Sequence, residues 1–227
     1  MTTKEEFVAQ YGIDLERVKA AKRYPLLATM RMDIGSHPEN YINFEQLFAA
    51  EMLKEQGPES VLDIGSNRYF VLGLLASYDV TSVDVRVRKA SPSNETVIIC
   101  DAKKLNIPDN HFDTVVSLCA IEHFGLGRYG DEIDLDGPDK AVREMVRVLK
   151  PGGRLIFSTH IHRNETFIRF NADWIFSRAH IESWLEDCTL VQERFYRDPP
   201  NGWVSYKGVN TELARWDVYC GCWQKSW

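Results

Sequence analysis

An apolar run that ends in Asp-x-Gly constrains the fold of this chain more than any other feature of its sequence. Val61–Ile64 leads directly into Gly65, and a second apolar run ends at Asp84, 21 residues after Asp63. In an open α/β sheet such a glycine lets the backbone approach a nucleotide-like ligand, and the later acid accepts hydrogen bonds from two ribose hydroxyls. The two motifs therefore predict a strand, a tight turn and a ligand site at the carboxyl end of a parallel sheet.

Strand and helix patterns alternate from Gly57 onward. Short β-branched or apolar runs, typical of strands buried on both faces of a parallel sheet, occur at Val61–Ile64, Val80–Val85, Thr96–Cys100, Val115–Cys119 and Arg154–Thr159. An amphipathic helix is predicted over Asp139–Leu149, with a proline before it and Pro151-Gly152-Gly153 after it. The alternation predicts an α/β fold, doubly wound around a mostly parallel sheet.

The two ends of the chain complete a single predicted domain. Residues 1–56 show the helical spacing of apolar side chains and are predicted to form a cap or lid, while residues 57–227 form the core. Ser177 is the predicted N-cap of a helix that runs through Leu185. Two further strands are predicted at Leu190–Tyr196 and Trp216–Trp223, and the last of them is expected to be antiparallel.

Composition and charge argue against several classes of protein. The chain has 227 residues, 44% of them hydrophobic, which is typical of a globular domain with a core of its own. Its net charge is −6 and its pI is about 5.6, so the phosphates of duplex nucleic acid would be repelled. No apolar run approaches the roughly 18 residues of a membrane span, and the N-terminus lacks the apolar segment of a secretory signal.

The five cysteines are scattered and odd in number: Cys100, Cys119, Cys188, Cys220 and Cys222. Cys220 and Cys222 alternate along a predicted strand, but no second cysteine pair completes a zinc site. Free thiols are therefore predicted, together with a cytoplasmic location, because reducing compartments keep thiols unpaired.

Three more motifs follow the first two in a fixed order. They are Asp101-Ala102, Phe112–Ser117 and Leu149–Gly153. Asp63 and Asp84 alone suit a nicotinamide dinucleotide equally well. With the complete set, the chain resembles the class I S-adenosylmethionine-dependent methyltransferases of type 11, over roughly Glu59–Tyr196. The resemblance implies a seven-stranded Rossmann-like sheet with its last strand antiparallel, and conversion of S-adenosylmethionine to S-adenosylhomocysteine.

The resemblance also implies which residues bind the cofactor. The first motif lies beside the methionine moiety, the acid of the second strand holds the ribose, and the Asp-Ala pair meets the adenine. Backbone groups at the end of the fourth strand contact the methionine moiety. The predicted cofactor-binding residues are Asp63, Gly65, Ser66, Asn67, Asp84, Val85, Asp101, Ala102, Leu118 and Cys119.

The first loop departs from the family pattern. The family has Gly-x-Gly-x-Gly, whereas this chain has Gly65-Ser66-Asn67-Arg68-Tyr69. Asn67 is expected to replace one glycine by adopting a positive φ, which asparagine does more readily than most residues. Because the loop is altered, the alternative that the chain is a non-catalytic relative, which binds the cofactor without turnover, stays open.

Two histidines are the predicted catalytic residues. His123 follows the fourth predicted strand, where an acceptor meets the methyl donor, and is predicted to act as a base; packing on the cofactor is its alternative role. His160 ends the fifth strand at the same rim. With His162 it suits a metal or an anion, although a polar rim residue beside a solvated one is the commoner arrangement. The acidic loop Asp131–Asp136 is interpreted as solvated, so no metal is predicted.

The acceptor is predicted to be the hydroxyl of a small molecule. The Asp/Asn-Pro-Pro-Tyr/Phe motif typical of amino-group methylation of bases is absent after the fourth strand, where Cys119–Glu122 stands. The segment Gly125–Asp131 resembles bacterial relatives associated with surface polysaccharide synthesis, which implies a sugar or sugar nucleotide. No nucleic-acid or membrane partner is expected.

Overall fold

The computed structural model describes residues 3–32, 40–87, 92–197, 202–212 and 215–227. The chain divides into two compact units, Met1–Pro38 and Glu39–Trp227. In the first unit, helix α1 (Lys4–Ala21) begins at a capping box, in which Thr3 and Glu6 bond to each other's backbone N–H groups. Across the described ranges, no helix is both long and apolar enough to cross a membrane. The division into a cap of residues 1–56 and a core of residues 57–227 stays a prediction.

The second unit contains one large sheet, a two-stranded ribbon and, among its described residues, four α-helices. The strands are β1 (Val61–Ile64), β2 (Val80–Asp84), β3 (Glu95–Ile99), β4 (Phe112–Leu118), β5 (Leu149–Ile161), β6 (Phe167–Arg169), β7 (Asp173–Ile175), β8 (Cys188–Arg197), β9 (Gly202–Val204) and β10 (Asp217–Lys225). The helices are α2 (Tyr41–Gln56), α3 (Arg68–Leu74), α4 (Gly137–Val148) and α5 (Arg178–Ser183).

The large sheet confirms the predicted fold class. Its strand order is β3-β2-β1-β4-β5-β10-β8-β9, and neighbouring strands from β3 to β5 are all parallel. β10 pairs antiparallel with β5 and with β8, as predicted for the last strand. The short β9 adds an eighth strand at the edge. The strand order reverses between β1 and β4, and ligands of open α/β sheets bind at such a switch point.

Several predicted boundaries shift by a few residues, and one shift has a clear cause. β5 begins at Leu149 rather than at Arg154, so the Pro-Gly-Gly sequence lies inside the strand. The pairing with β4 changes register there, from Phe112 opposite Leu149 to Thr114 opposite Arg154. Gly152, at φ +77°, accommodates this bulge. The predicted helix after Ser177 is capped as expected but ends at Ser183.

Alternating side chains of the strands feed two hydrophobic clusters, one on each face of the sheet. In β1, Leu62 and Ile64 belong to the cluster that α4 covers, whereas Val61 belongs to the cluster that α2 and α3 cover. α4 contributes Ala141, Val142, Met145 and Val148 to the first cluster. α2 contributes Phe48, Ala49, Met52 and Leu53 to the second. Both faces of the central strands are therefore buried, which explains their continuous apolar runs.

The cysteines are free thiols, as the sequence predicts. Cys220 and Cys222 are buried, and Cys100, Cys119 and Cys188 are half-buried.

Candidate active site

Two adjoining cavities open where β1, β2 and β4 end. The first has a volume of about 630 Å³ and the second, which is more open to solvent, about 1320 Å³. Their shared walls are formed by Gly65, Asp84, Arg86, Cys119 and Tyr129. In open α/β sheets, ligands bind in a cleft of this kind, at the topological switch point.

Six of the predicted cofactor residues line the first cavity: Gly65, Asp84, Val85, Asp101, Ala102 and Cys119. Both carboxylate oxygens of Asp84 accept hydrogen bonds from the Arg86 guanidinium, at 2.8 and 2.7 Å. In this structure, Arg86 therefore occupies the two oxygens that the motif assigns to the ribose hydroxyls. Asp101 accepts a hydrogen bond from the backbone N–H of Lys103 at 2.9 Å, which fixes the carboxylate at the wall. Asp84 and Asp101 thus line one cavity, as the motif order predicts.

The turn after β1 requires its one remaining glycine. Gly65 has φ +72°, and a Cβ at this position would lie 2.9 Å from the Ala120 Cβ. A side chain here would suffer both left-handed strain and a steric clash. This close approach leaves the backbone of the turn on the walls of both cavities.

The rest of the loop is held by side chains. Ser66 Oγ accepts a hydrogen bond from Leu118 N at 3.0 Å, and Asn67 Oδ1 accepts one from Tyr69 N at 2.9 Å. Asn67 has φ −56°, so the prediction that it adopts a positive φ is wrong; it caps α3 instead. Ser66 and Asn67 both line the second cavity, and Leu118 lies beside them.

An ion pair anchors the loop from behind. Arg68 donates two hydrogen bonds to the buried carboxylate of Glu95, at 2.6 and 2.8 Å, and Ser82 donates another at 2.8 Å. A bidentate charged contact of this kind is stronger than an ordinary hydrogen bond. The loop thus takes a defined path without the two glycines that the family pattern places there.

Two residues predicted to lie beside the methionine moiety, Asp63 and Cys119, differ in their access to the cavities. Asp63 is fully buried at the end of β1 and is absent from the walls of both cavities. Cys119 lines both cavities and has φ +44°, a conformation that costs a non-glycine residue energy. Backbone strain of this kind persists only where the surrounding structure enforces it, and it is common at functional sites.

His123 lies on the wall of the first cavity. Its Nδ1 is 2.8 Å from the backbone oxygen of Ala172, which accepts a hydrogen bond from the tautomer protonated at Nδ1. Burial lowers the pKa of His123, and this effect outweighs the nearby carboxylate of Glu122. The imidazole is therefore neutral at pH 7, with Nε2 as its basic nitrogen.

His160 is buried and lies on neither cavity wall. Its Nδ1 is 3.1 Å from Asp173 Oδ2, its Nε2 is 3.6 Å from Glu122 Oε1, and its ring stacks on Trp216 at 3.7 Å between centroids. His162 is fully buried as well, so the expectation of one solvated histidine is wrong. Aromatic rings cover both histidines: Trp216 stacks on His160, and the Phe167 ring centroid lies 5.4 Å from that of His162.

Sequence analysis missed two residues of α2, Tyr41 and Glu45, that line the second cavity. Glu45 is 2% exposed, and its Oε2 accepts a hydrogen bond from Ser158 Oγ at 2.5 Å. Burial raises the pKa of Glu45 to about 7 and that of Tyr41 to about 12. The signal was present: Glu45 shares the helical spacing of the buried Phe48, Ala49 and Met52.

The acidic loop is neutralised by lysines. Asp134 accepts two hydrogen bonds from Lys140, both at 2.9 Å, and lies 3.5 Å from the Lys103 ammonium. Asp131 accepts hydrogen bonds from the backbone N–H groups of Gly127 and Tyr129. These contacts give the loop a structural role.

Comparison with known proteins agrees with this geometry. Residues 62–157 match the family model described as a methyltransferase domain. The ubiquinone/menaquinone biosynthesis C-methyltransferase UbiE of Pseudomonas paraeruginosa is 41% identical over 73 residues, which are 32% of this chain and 24% of that protein. The match therefore spans about a quarter of the length of this curated relative.

Solved structures share the fold at low sequence identity. The 1,6-didemethyltoxoflavin-N1-methyltransferase of Burkholderia thailandensis, with bound 1,6-didemethyltoxoflavin and S-adenosylhomocysteine, has a TM-score of 0.59 at 14% identity; the comparison covers 100% of this chain and 92% of that one. The N-methyltransferase NodS of Bradyrhizobium japonicum, in complex with S-adenosylhomocysteine, has a TM-score of 0.56 at 15% identity and covers 82% and 89%.

The family model covers residues 62–157, and the solved structures share the fold of the chain. Both similarities agree with the class I, S-adenosylmethionine-dependent methyltransferases that the motifs resemble, and they favour S-adenosylmethionine over a nicotinamide dinucleotide as the cofactor.

Gly65→Ala is expected to lower both stability and cofactor affinity. The left-handed backbone alone costs an alanine about 1–2 kcal/mol, and the 2.9 Å approach to Ala120 adds to this cost. Urea unfolding and calorimetric titration with S-adenosylhomocysteine measure the two effects. Gly73→Ala in α3, where the added methyl group would meet open space, is the matched control; it should keep the parent's cofactor affinity and be no less stable, because alanine favours a helix by about 0.5–1 kcal/mol over glycine. Equal behaviour of the two variants would contradict the proposed turn geometry.

Proposed function

We propose that this domain transfers the methyl group of S-adenosylmethionine to a hydroxyl group of a small molecule. The observation that carries the proposal is the convergence of Asp84, Asp101 and the Gly65 turn on one cleft, with His123 on its wall. The acceptor oxygen attacks the methyl carbon, the carbon–sulfur bond breaks, and the sulfonium becomes the thioether of S-adenosylhomocysteine. The hydroxyl proton must leave as the new bond forms.

Cofactor binding follows from the position of the two acids. Asp84 accepts from the ribose hydroxyls after Arg86 yields at least part of its contact, and Asp101 accepts from the adenine amino group. Val85 and Ala102 pack against the adenine ring in the first cavity. The methionine moiety extends past Gly65 toward Ser66, Asn67, Leu118 and Cys119 along the second cavity. Asp63, buried near the end of β1, lies two residues before Gly65 and lines neither cavity.

His123 is the proposed proton acceptor. It lies on the cavity wall, its Nδ1 is held by the backbone oxygen of Ala172, and its Nε2 is basic at neutral pH. His160 acts from behind the wall rather than on the acceptor itself, because it lines neither cavity. The second cavity offers Glu45 as the competing base, since this carboxyl also titrates near neutrality.

A sugar or sugar nucleotide is the proposed acceptor. The second cavity combines the rings of Tyr41 and Tyr129 with the polar side chains of Asn67 and Arg68. Apolar faces with a few fixed polar groups can bind and orient a polyhydroxylated ring. The cations of Arg86 and Arg128 lie 5.1 and 5.6 Å from the Tyr129 ring centroid, and they favour an acceptor that carries phosphate.

We also propose a cytoplasmic location. It rests on the five free cysteines, because a reducing compartment keeps such thiols unpaired.

Asp84→Ala is expected to weaken binding of S-adenosylhomocysteine by at least about 100-fold, because two hydrogen bonds to a charged group are lost. Calorimetric titration measures the change. Asp79→Ala is the matched control. Asp79 is exposed and immediately precedes β2, at the end of the strand remote from Asp84, so this variant should bind like the parent. An Asp84→Ala variant that binds as tightly as the parent would show that the cofactor site is placed wrongly.

His123→Ala is expected to retain cofactor binding and to slow turnover by about 10²–10⁴-fold, the usual contribution of a general base. Turnover is measured as S-adenosylhomocysteine release in a screen of sugar and sugar-nucleotide acceptors. The exposed His111→Ala serves as the control. If Glu45→Gln abolished turnover while His123→Ala did not, the proton would pass to Glu45 and the role assigned to His123 would be wrong.

A further inference from the structure

We propose that Cys119, Glu122 and His160 bind a divalent transition metal ion of the zinc type beneath the two cavities. One ligand atom from each side chain, a sulfur, a carboxylate oxygen and an imidazole nitrogen, lies within 4.8 Å of the other two. Around tetrahedral zinc, with bonds of about 2.0–2.3 Å, such atoms are about 3.3–3.6 Å apart. Side-chain adjustments of about 1 Å therefore suffice to close the site around an ion.

The topology of the sheet brings the three residues together. Cys119 follows the last residue of β4, Glu122 lies in the short 3₁₀ turn Ile121–His123, and His160 lies near the end of β5. β4 and β5 are parallel neighbours, with Leu118 opposite Ser158. The carboxyl ends of both strands thus meet at one edge of the sheet.

The unpartnered oxygen of Glu122 points to a ligand. Glu122 is 0% exposed, and its Oε2 accepts a hydrogen bond from Thr159 Oγ1 at 3.2 Å. Oε1 has no hydrogen-bond partner among the described residues, and it faces His160 Nε2 at 3.6 Å. Within the described part of the chain, no lysine or arginine forms an ion pair with this carboxylate. A buried, uncompensated carboxylate is costly, and a bound cation would remove that cost.

The imidazole of His160 is oriented as a metal ligand requires. Asp173 Oδ2 lies 3.1 Å from its Nδ1, so Nε2 is the nitrogen that faces Glu122. Asp173 is itself held by two hydrogen bonds from Arg169. A carboxylate behind a histidine is the usual second layer of a metal site.

The sulfur completes a donor set that selects the metal. Ser158 Oγ donates to Cys119 Sγ at 3.5 Å, so the sulfur lies beside the end of β5. A thiolate, an imidazole and one carboxylate suit zinc and exclude magnesium and calcium, which prefer oxygen ligands alone. On binding, the thiol releases its proton to solvent as the sulfur–metal bond forms.

His123 does not belong to the set. Its Nε2 lies 4.0 Å from the same Glu122 oxygen, but Arg128 Nη1 stands 3.1 and 3.4 Å from its two ring nitrogens. A guanidinium there repels a metal ion. The metal site and the proposed base are therefore separate, and the inference does not depend on the identity of the acceptor.

Metal titration of the full chain tests the proposal. After chelator treatment, the protein is titrated with Zn²⁺ by calorimetry and with Co²⁺ by absorption spectroscopy. We expect one ion per chain and, for Co²⁺, the bands of a tetrahedral site with a thiolate-to-cobalt charge-transfer band. Glu122→Gln should weaken Zn²⁺ binding by at least about 10–100-fold. Loss of a residue that only supports a metal ligand already has an effect of this size. Glu186→Gln and Cys188→Ser, remote in sequence from the cluster, are the matched controls.

Melting temperature and S-adenosylhomocysteine binding distinguish loss of the metal site from loss of the fold. Glu122→Gln removes a buried charge, so the metal-free variant should melt no lower than the metal-free parent and should still bind S-adenosylhomocysteine. Failure of the parent to bind one Zn²⁺, a cobalt spectrum without the thiolate band, or equal zinc affinity in Glu122→Gln would each overturn the metal site. Absence of S-adenosylhomocysteine binding by the parent would overturn the proposed function instead.

Discussion

The close passage of Gly65 against Ala120 is the contact on which the rest of the site depends. It brings the ends of β1 and β4 together so tightly that a Cβ on Gly65 would lie 2.9 Å from the Ala120 Cβ. At this distance Ser66 Oγ can accept from Leu118 N, and the backbone of the turn forms a wall of both cavities. Cys119, which precedes Ala120, has the strained φ of +44°. The cofactor residues and the proposed metal ligands meet at one edge for this reason.

The second constraint is the burial of acidic side chains beneath that edge. Glu45, Glu122 and Asp173 are at most 3% exposed, and each is accommodated differently. Asp173 is compensated by Arg169, and Glu45 keeps its proton up to a pKa of about 7 because burial disfavours the charged form. Glu122 has Thr159 on one oxygen and leaves the other for a cation. A proton and an arginine thus compensate two of these buried carboxylates, and a metal ion is the compensation that we propose for the third.

Local patterns predicted most of the fold and the convergence of Asp84 and Asp101 on one cavity. The strands β1 to β5 are β-branched runs, and Asp84 and Asp101 end or follow such runs, so spacing alone places them. The rest depended on tertiary contacts. Asn67 follows a side-chain preference, capping α3, rather than the backbone preference expected of it. Glu122, His160 and Asp173 come from different elements and meet only when the strand ends align, so no sequence spacing marks them.

Calorimetric titration of the unaltered chain with S-adenosylhomocysteine, with NAD as the control, tests the central claim most directly. The account predicts saturable binding of S-adenosylhomocysteine at micromolar concentration and none of NAD. This result would show that a loop held by Ser66, Asn67 and the Arg68–Glu95 ion pair can replace the missing glycines. Binding of NAD alone, or of neither compound, would contradict the assignment of the cleft and with it the proposed methyl transfer.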